Sequence, residues 1–138
     1  MQTTTTLSSF DDFLAAARAQ PESQRLLFVF GVAELPQTHS PGQEKRFREG
    51  RGGALSPVMC VDKAITELAD FSALAQESQS TGQPWDVVFA AALAGPSGRE
   101  PSDAEVEQAL RSMIGAVHRG AVERFIAFDR DGHALHFS

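Results

Sequence analysis

Leu26-Leu27-Phe28-Val29-Phe30 is an unbroken apolar run, too short for a helix and followed at a short distance by Pro36. Side chains of an extended chain point alternately to two faces, so a run with no polar alternation requires cover on both. The run therefore predicts a central strand over residues 25–34, covered on both faces, in a domain of two or three layers.

Upstream, Ser9 offers an N-cap with Asp12 three residues later, and Phe10, Phe13, Leu14 and Ala17 recur at helical spacing before Pro21. A helix over 10–20 follows. Downstream the chain turns polar from Pro36 to Pro57. There Ser40, Pro41 and Gln43 read as a cap, a first-turn proline and a capping-box partner, and Gly50 as a stop, predicting a short helix at 41–49. Gly52 and Gly53 make a joint before Leu55–Asp62, a second buried strand expected to pair with the first.

Ile65, Leu68, Phe71, Leu74 and Ala75 form the apolar stripe of the next helix, with a break allowed at Asp70 and a terminating cap at Gly82. Trp85–Ala94 is the third apolar strand, followed by Gly95. Ser102 with Glu105 is a capping box, and Val106, Ala109, Leu110, Met113 and Val117 carry that helix to Gly120. Phe125–Phe128 and Ala134–Phe137 flank Asp131-Gly132, a pair suited to a tight hairpin turn. A two-residue turn there would set Phe128 against Leu135 and Ile126 against Phe137. A faint repeat also lays Asp12, Phe13, Val29 and Phe30 over Asp70, Phe71, Val88 and Phe89. The fold expected is α/β or α+β: a single domain over 1–138, a mixed sheet of about five strands, about three main helices and a C-terminal β-hairpin.

Composition supports one globular domain. The 138 residues carry 18 acidic and 12 basic side chains, a net charge of −6, and are 42% hydrophobic. A chain of this size buries roughly two-thirds of its unfolded surface and needs no disulfide or metal to hold a core. One cysteine, Cys60, cannot make an internal bridge, which suits a reducing cytoplasm. Met1–Phe10 has no basic residue, and no apolar run approaches membrane-spanning length, so neither secretion nor membrane insertion is expected.

Three segments together resemble a group of small proteobacterial proteins that often carry the name ribonucleotide reductase alpha subunit. They are Gln24–Phe30, Gly52–Lys63 and Pro84–Ala91. The reductase alpha subunit itself is a far larger barrel enzyme using a radical-forming cysteine and a redox cysteine pair. This chain has Cys60 alone and no tyrosine, so that thiol chemistry has no residues here. The resemblance implies relatives and carries over no functional residue.

The remaining candidates are individual side chains. Cys60 with His39, His118, His133 or His136 as base would make a nucleophile, but its place inside an apolar run favours core packing and a suppressed thiolate. His133 and His136 are three apart on an expected strand and point to opposite faces, so no metal site and no cofactor is expected. Gly95-Pro96-Ser97-Gly98-Arg99 has the position of a phosphate-binding loop without its lysine or glycine signature, and Glu100, Asp103, Glu105 and Glu107 crowd the helix start behind it. Asp62 and Asp86 are lone carboxylates beside strands, with no catalytic partner next to them.

Lys45, Arg46, Arg48 and Arg51 against Glu44 and Glu49 make a local charge of +2 in an acidic chain. One cluster in a protein of pI near 5.1 does not predict nucleic-acid binding. If the first and third strands run parallel, the 36–53 excursion leaves the same rim as the Gly95–Pro101 loop. Arg46, Arg48, Arg51 and Arg99 would then form a site for an acidic protein partner or small anionic ligand. The function expected is a non-catalytic interaction or regulatory module, with a small-molecule binding protein or small enzyme as the alternative. A homodimer is compatible with this, since a terminal hairpin leaves an open sheet edge.

Overall fold

In the computed structural model, which describes residues 9–34 and 54–135, the run 26–30 lies at the middle of β1 (Gln24–Glu34) and is buried throughout. The sheet has the order β2 (Ala54–Ala64), β1, β3 (Val87–Ala94), β4 (Ile126–Phe128) and β5 (Ala134–Leu135). Helices α1 (Phe10–Arg18) and α2 (Phe71–Gln79) cover one face, and α3 (Asp103–His118) covers the other. This is an α+β domain with five strands, three helices and a C-terminal hairpin among the described residues, as expected. The short helix expected at 41–49 lies outside the described residues.

One feature of the sheet departs from expectation: every neighbouring pair is antiparallel. Burial on both faces of β1 comes from the two helical layers and not from parallel pairing. β2 and β3 do run parallel to one another through α2, but β1 lies between them. The faint repeat also fails in space. Val29 and Phe89 face α3, whereas Val88 and Phe30 face α1 and α2, so the overlay pairs residues on opposite sides of the sheet.

The face beneath α1 and α2 is built on aromatics. The ring of Phe10 lies 5.1–5.8 Å from those of Phe13, Phe28, Phe71 and Phe128, joining α1, β1, α2 and β4. Ser9 caps α1 by accepting from the Asp12 N–H, and Asp70 caps α2 by accepting from Ala73. The stripe read as one helix from Ile65 is thus a three-residue turn (Ile65–Glu67) and a separate helix, divided at Asp70. Farther along, the Trp85 Nε1–H donates to Ser78 Oγ at 2.9 Å, and that hydroxyl donates to the Ala75 carbonyl, both side chains being buried.

The hairpin turn is one residue longer than Asp131-Gly132 alone suggests. The Gly132 N–H donates to the Asp129 carbonyl and the Asp129 N–H to that of His133, with Gly132 at φ +83°. That is a three-residue loop with a glycine bulge. The Asp129 carboxylate favours it by accepting from the Asp131 and His133 N–H groups. The register shifts accordingly, to Phe128 against Ala134 and Ala127 against Leu135. A side chain at Gly132 would meet the Phe71 ring at 3.0 Å.

Cys60 is exposed, contrary to the burial expected of it. It lies on β2, at one edge of the sheet, opposite Val29. Its neighbours Met59 and Val61 pack onto the α1/α2 face, so strand alternation turns Cys60 to the other side, where it is left uncovered.

Two outcomes follow. Cys60 should react with a bulky maleimide in the folded protein at a rate near that of a free thiol, and Cys60→Ser should change stability by no more than about 0.5 kcal/mol; protection of the native thiol would contradict its exposure. Ser78→Ala leaves the buried indole N–H without its acceptor and should cost about 1–3 kcal/mol in urea unfolding.

Candidate functional site

Many of the polar side chains beside the strands serve the scaffold. Arg25 is hydrogen-bonded to Asp62 and lies 3.9 Å from Glu67 and 3.7 Å from Glu100, tying the start of β1 to the end of β2 and the approach to α3. The hydrogen bond to Asp62 holds the Arg25 pKa above its ordinary value, against the opposing effect of burial. Lys63 pairs with Glu77 at 2.7 Å, Asp86 accepts from the Ala33 N–H, and Arg18 donates to the carbonyls of Leu68 and Ala69. The two carboxylates singled out in the sequence, Asp62 and Asp86, are thus an ion-pair partner and a backbone acceptor.

The loop after β3 closes on itself. The Gly95 N–H donates to the Arg99 carbonyl at 2.8 Å and the Arg99 N–H to that of Pro96, so these two amides are occupied within the turn. A Cβ at Gly95 would lie 2.5 Å from the Arg99 oxygen, which explains the glycine by close backbone approach.

Of the four arginines expected to form one rim, Arg46, Arg48 and Arg51 lie outside the described residues. Arg99 is exposed, and its Nε–H donates to Pro96 O. The condition for a shared rim is not met, because β1 and β3 are antiparallel. β3 ends at Ala94 opposite Gln24, the start of β1, whereas the undescribed segment is bounded by Glu34 and Ala54, which pair at the other end.

On the α3 face there is a different candidate. α3 packs chiefly against β1 and β2 and leaves part of β3 uncovered. The result is a groove of about 400 Å³. Leu27, Ala91 and Leu93 floor it, Ala109, Ser112, Met113 and Ala116 of α3 wall it, and Arg119, Arg124 and Phe125 come from the connection to β4. Alanines along the wall keep the helix side of the groove shallow, which is what leaves the space.

Charge singles the groove out. In a chain of net charge −6, its described lining has two arginines and no carboxylate. Neither arginine has an ion-pair partner among the described residues, unlike Arg25 and Arg111, which pair with Asp62 and Glu107. Arg119 is the C-cap of α3, where the carbonyl end of the helix stabilises a cation, and its guanidinium lies across Gly115. A Cβ at Gly115 would approach Arg119 Nη1 to 3.1 Å. Guanidinium groups bind carboxylate and phosphate through paired N–H donors and stay protonated at physiological pH. The lining has one hydroxyl, Ser112, and no histidine or carboxylate to take its proton. Such a set offers donors suited to an anion.

A second hollow of about 310 Å³ lies between β2 and α2, lined in part by Met59, Val61 and Leu74. Its polar groups are engaged: Glu77 with Lys63, Ser78 with Trp85, and Thr81 with Met59 Sδ and the Ser78 carbonyl. Asp129, Asp131 and His133 bring three ligand atoms within 4.8 Å of one another at the hairpin turn, and Asp129 is already the acceptor that shapes that turn. His118 is exposed as the last residue of α3.

Arg119 and Arg124 were not among the residues the sequence singled out. Their signal is weak: two arginines either side of Gly120 in an acidic chain, five positions apart, with the α3 stop between them. Comparison of the chain with protein-family models, curated proteins and solved structures found no match.

α3, which walls the groove, is held at its start by the Ser102–Glu105 capping box. The Ser102 N–H donates to the Glu105 carboxylate at 2.8 Å and holds its pKa below the ordinary range, with the Ser102 hydroxyl and the Arg99 charge acting in the same direction. A lowered folded pKa contributes stability that is complete above the unfolded value, about 4.3, and disappears as the pH falls through the folded one. The gap in melting temperature between the native chain and Glu105→Gln should therefore narrow on acidification through this window. An equal gap at neutral and at strongly acid pH would refute the assignment.

Proposed function

We propose that this chain is a non-catalytic binding module and that the groove beside α3 holds an anionic ligand. The observation that carries the reading is the lining itself: two arginines without ion-pair partners among the described residues, over an apolar floor, with no acidic residue among those described. Arginine supplies charge and directional donors but no proton transfer at neutral pH. Ser112 has no base beside it in the lining, so acyl or phosphoryl chemistry there has no activated nucleophile.

The reading fits the rest of the molecule. Asp62, Asp70, Asp86, Glu67 and Glu105 each have a partner that accounts for them: an ion pair, a cap or a backbone N–H. Arg119 and Arg124 are exposed, so their guanidinium donors are open to a ligand arriving from solvent. No described helix is long and apolar enough to cross a membrane.

Acetate, benzoate and inorganic phosphate, added separately to the intact chain, should include at least one that raises its melting temperature. At a hundred times Kd the stabilisation is about 2.7 kcal/mol. The paired substitution Arg119→Gln with Arg124→Gln should remove that shift while leaving the unliganded melting temperature within a few degrees. The probe should be recovered unchanged after incubation. Equal shifts in the native and substituted chains would overturn the groove as the site.

A further inference from the structure

We infer that the ligand of the groove is an amphiphilic monocarboxylate: one anionic head held by Arg119 and Arg124, and an apolar body lying along α3. The inference rests on the anion-binding reading above and adds the class of molecule. Three features point to it.

The lining is polarised. Both arginines belong to the connection between α3 and β4, and Ala109, at the opposite end of the helical wall, lies ten residues before Arg119. At 1.5 Å of rise per residue that is about 15 Å of helix, of which about 9 Å separates Ala109 from Gly115, over which the Arg119 guanidinium lies. Leu27, Ala91, Leu93, Met113 and Ala116 of the lining are apolar, and the Ser112 hydroxyl is its one polar side chain besides the arginines. A head at the arginine end therefore directs the remainder of the ligand along apolar surface.

The size fits a body as well as a head. A volume of about 400 Å³ is within the range of small-molecule sites, whereas inorganic phosphate would fill only the arginine end. Each methylene removed from water in the remainder contributes affinity.

The side-chain chemistry of the lining favours one polar head over a chain of backbone amides. An acidic segment laid in the groove would bring a backbone N–H and C=O for every residue, and those buried without a partner weaken binding. Besides the arginines, the lining offers one side-chain polar group, the Ser112 hydroxyl. A monocarboxylate has its polar atoms at one end, where the guanidinium donors are.

The test is a chain-length series of acetate, butanoate, hexanoate and octanoate, titrated into the full chain and followed by backbone amide NMR. Affinity should rise about two- to fourfold per added methylene. Shifts should concentrate on residues 91–93 and 109–125. Ala116→Leu and, as an independent variant, Ala109→Leu put a larger side chain into the apolar length; either should flatten the series while acetate binding persists. Arg119→Gln with Arg124→Gln should weaken every member tenfold or more.

Failures separate cleanly. Binding that is arginine-dependent but indifferent to chain length overturns the monocarboxylate and leaves the anion site standing. A poly-glutamate peptide that binds the same residues more tightly than octanoate overturns it in favour of an acidic partner. If no member perturbs the groove, both readings fall. The unsubstituted chain decides among these outcomes even where a leucine variant fails to fold.

Discussion

The structure depends on β1 being buried from both sides. Leu26 and Phe28 point into the layer formed by α1 and α2, and Leu27 and Val29 into the layer beneath α3, so two otherwise separate cores share one strand. Burial of side chains of this size contributes about 1.5–3 kcal/mol each, and a charge introduced among them would have no partner on either face. Polar groups are accordingly kept to the strand's ends. Arg25 at its start is paired with Asp62, and near its far end the ladder slips between Phe30 and Gly31. Opposite that slip is Pro57, a residue with no N–H to give to a ladder. At Gly31 itself an added Cβ would lie 3.4 Å from the Ser56 oxygen, so the close approach of β2 suits a residue without a side chain.

From this constraint comes the asymmetry that makes a site. Two helices and an aromatic cluster fill the first face, while a single helix must cover the second. α3 lies toward β1 and β2, and the part of the sheet it leaves bare becomes a groove. Its beginning is fixed by the capping box and its end by Gly120, whose φ of +76° turns the chain back toward β4. The same turn delivers Arg119 and Arg124 to the groove mouth. The groove's position is therefore a by-product of covering five strands with one helix, and its charge is a property of the connection that follows.

The elements written in local chemistry were legible. Ser9, Asp70 and the Ser102–Glu105 pair cap the helices they were read to cap, or, at Asp70, to divide, and Gly82, Gly120 and Gly132 all take positive φ. What failed was pairing. A doubly apolar run tells of two covering layers and is silent on strand direction, so the parallel arrangement did not follow from it. Cys60 illustrates the same limit. It lies in a run, Val58–Val61, that reads like the central one, yet β2 is an edge strand, and edge or centre is a tertiary fact. In the hairpin, Asp131-Gly132 marked the turn correctly, but the Asp129 carboxylate decides its length, and with it the register.

The groove was illegible for a related reason. A cluster such as Lys45 to Arg51 is conspicuous because its charges are adjacent in sequence, whereas Arg119 and Arg124 gain meaning only from what lies beside them. Their neighbours come from β1, β3 and α3, segments separated by tens of residues and individually apolar. An arginine beside a carboxylate is largely satisfied, as Arg25 is; one without an ion-pair partner leaves donors available, which is the basis of the site proposed above. Selectivity then falls to the floor. Guanidinium accepts almost any carboxylate or phosphate, so discrimination among anions has to come from how much apolar surface the rest of the ligand buries, and in this fold that surface is set by how far α3 lies from β3.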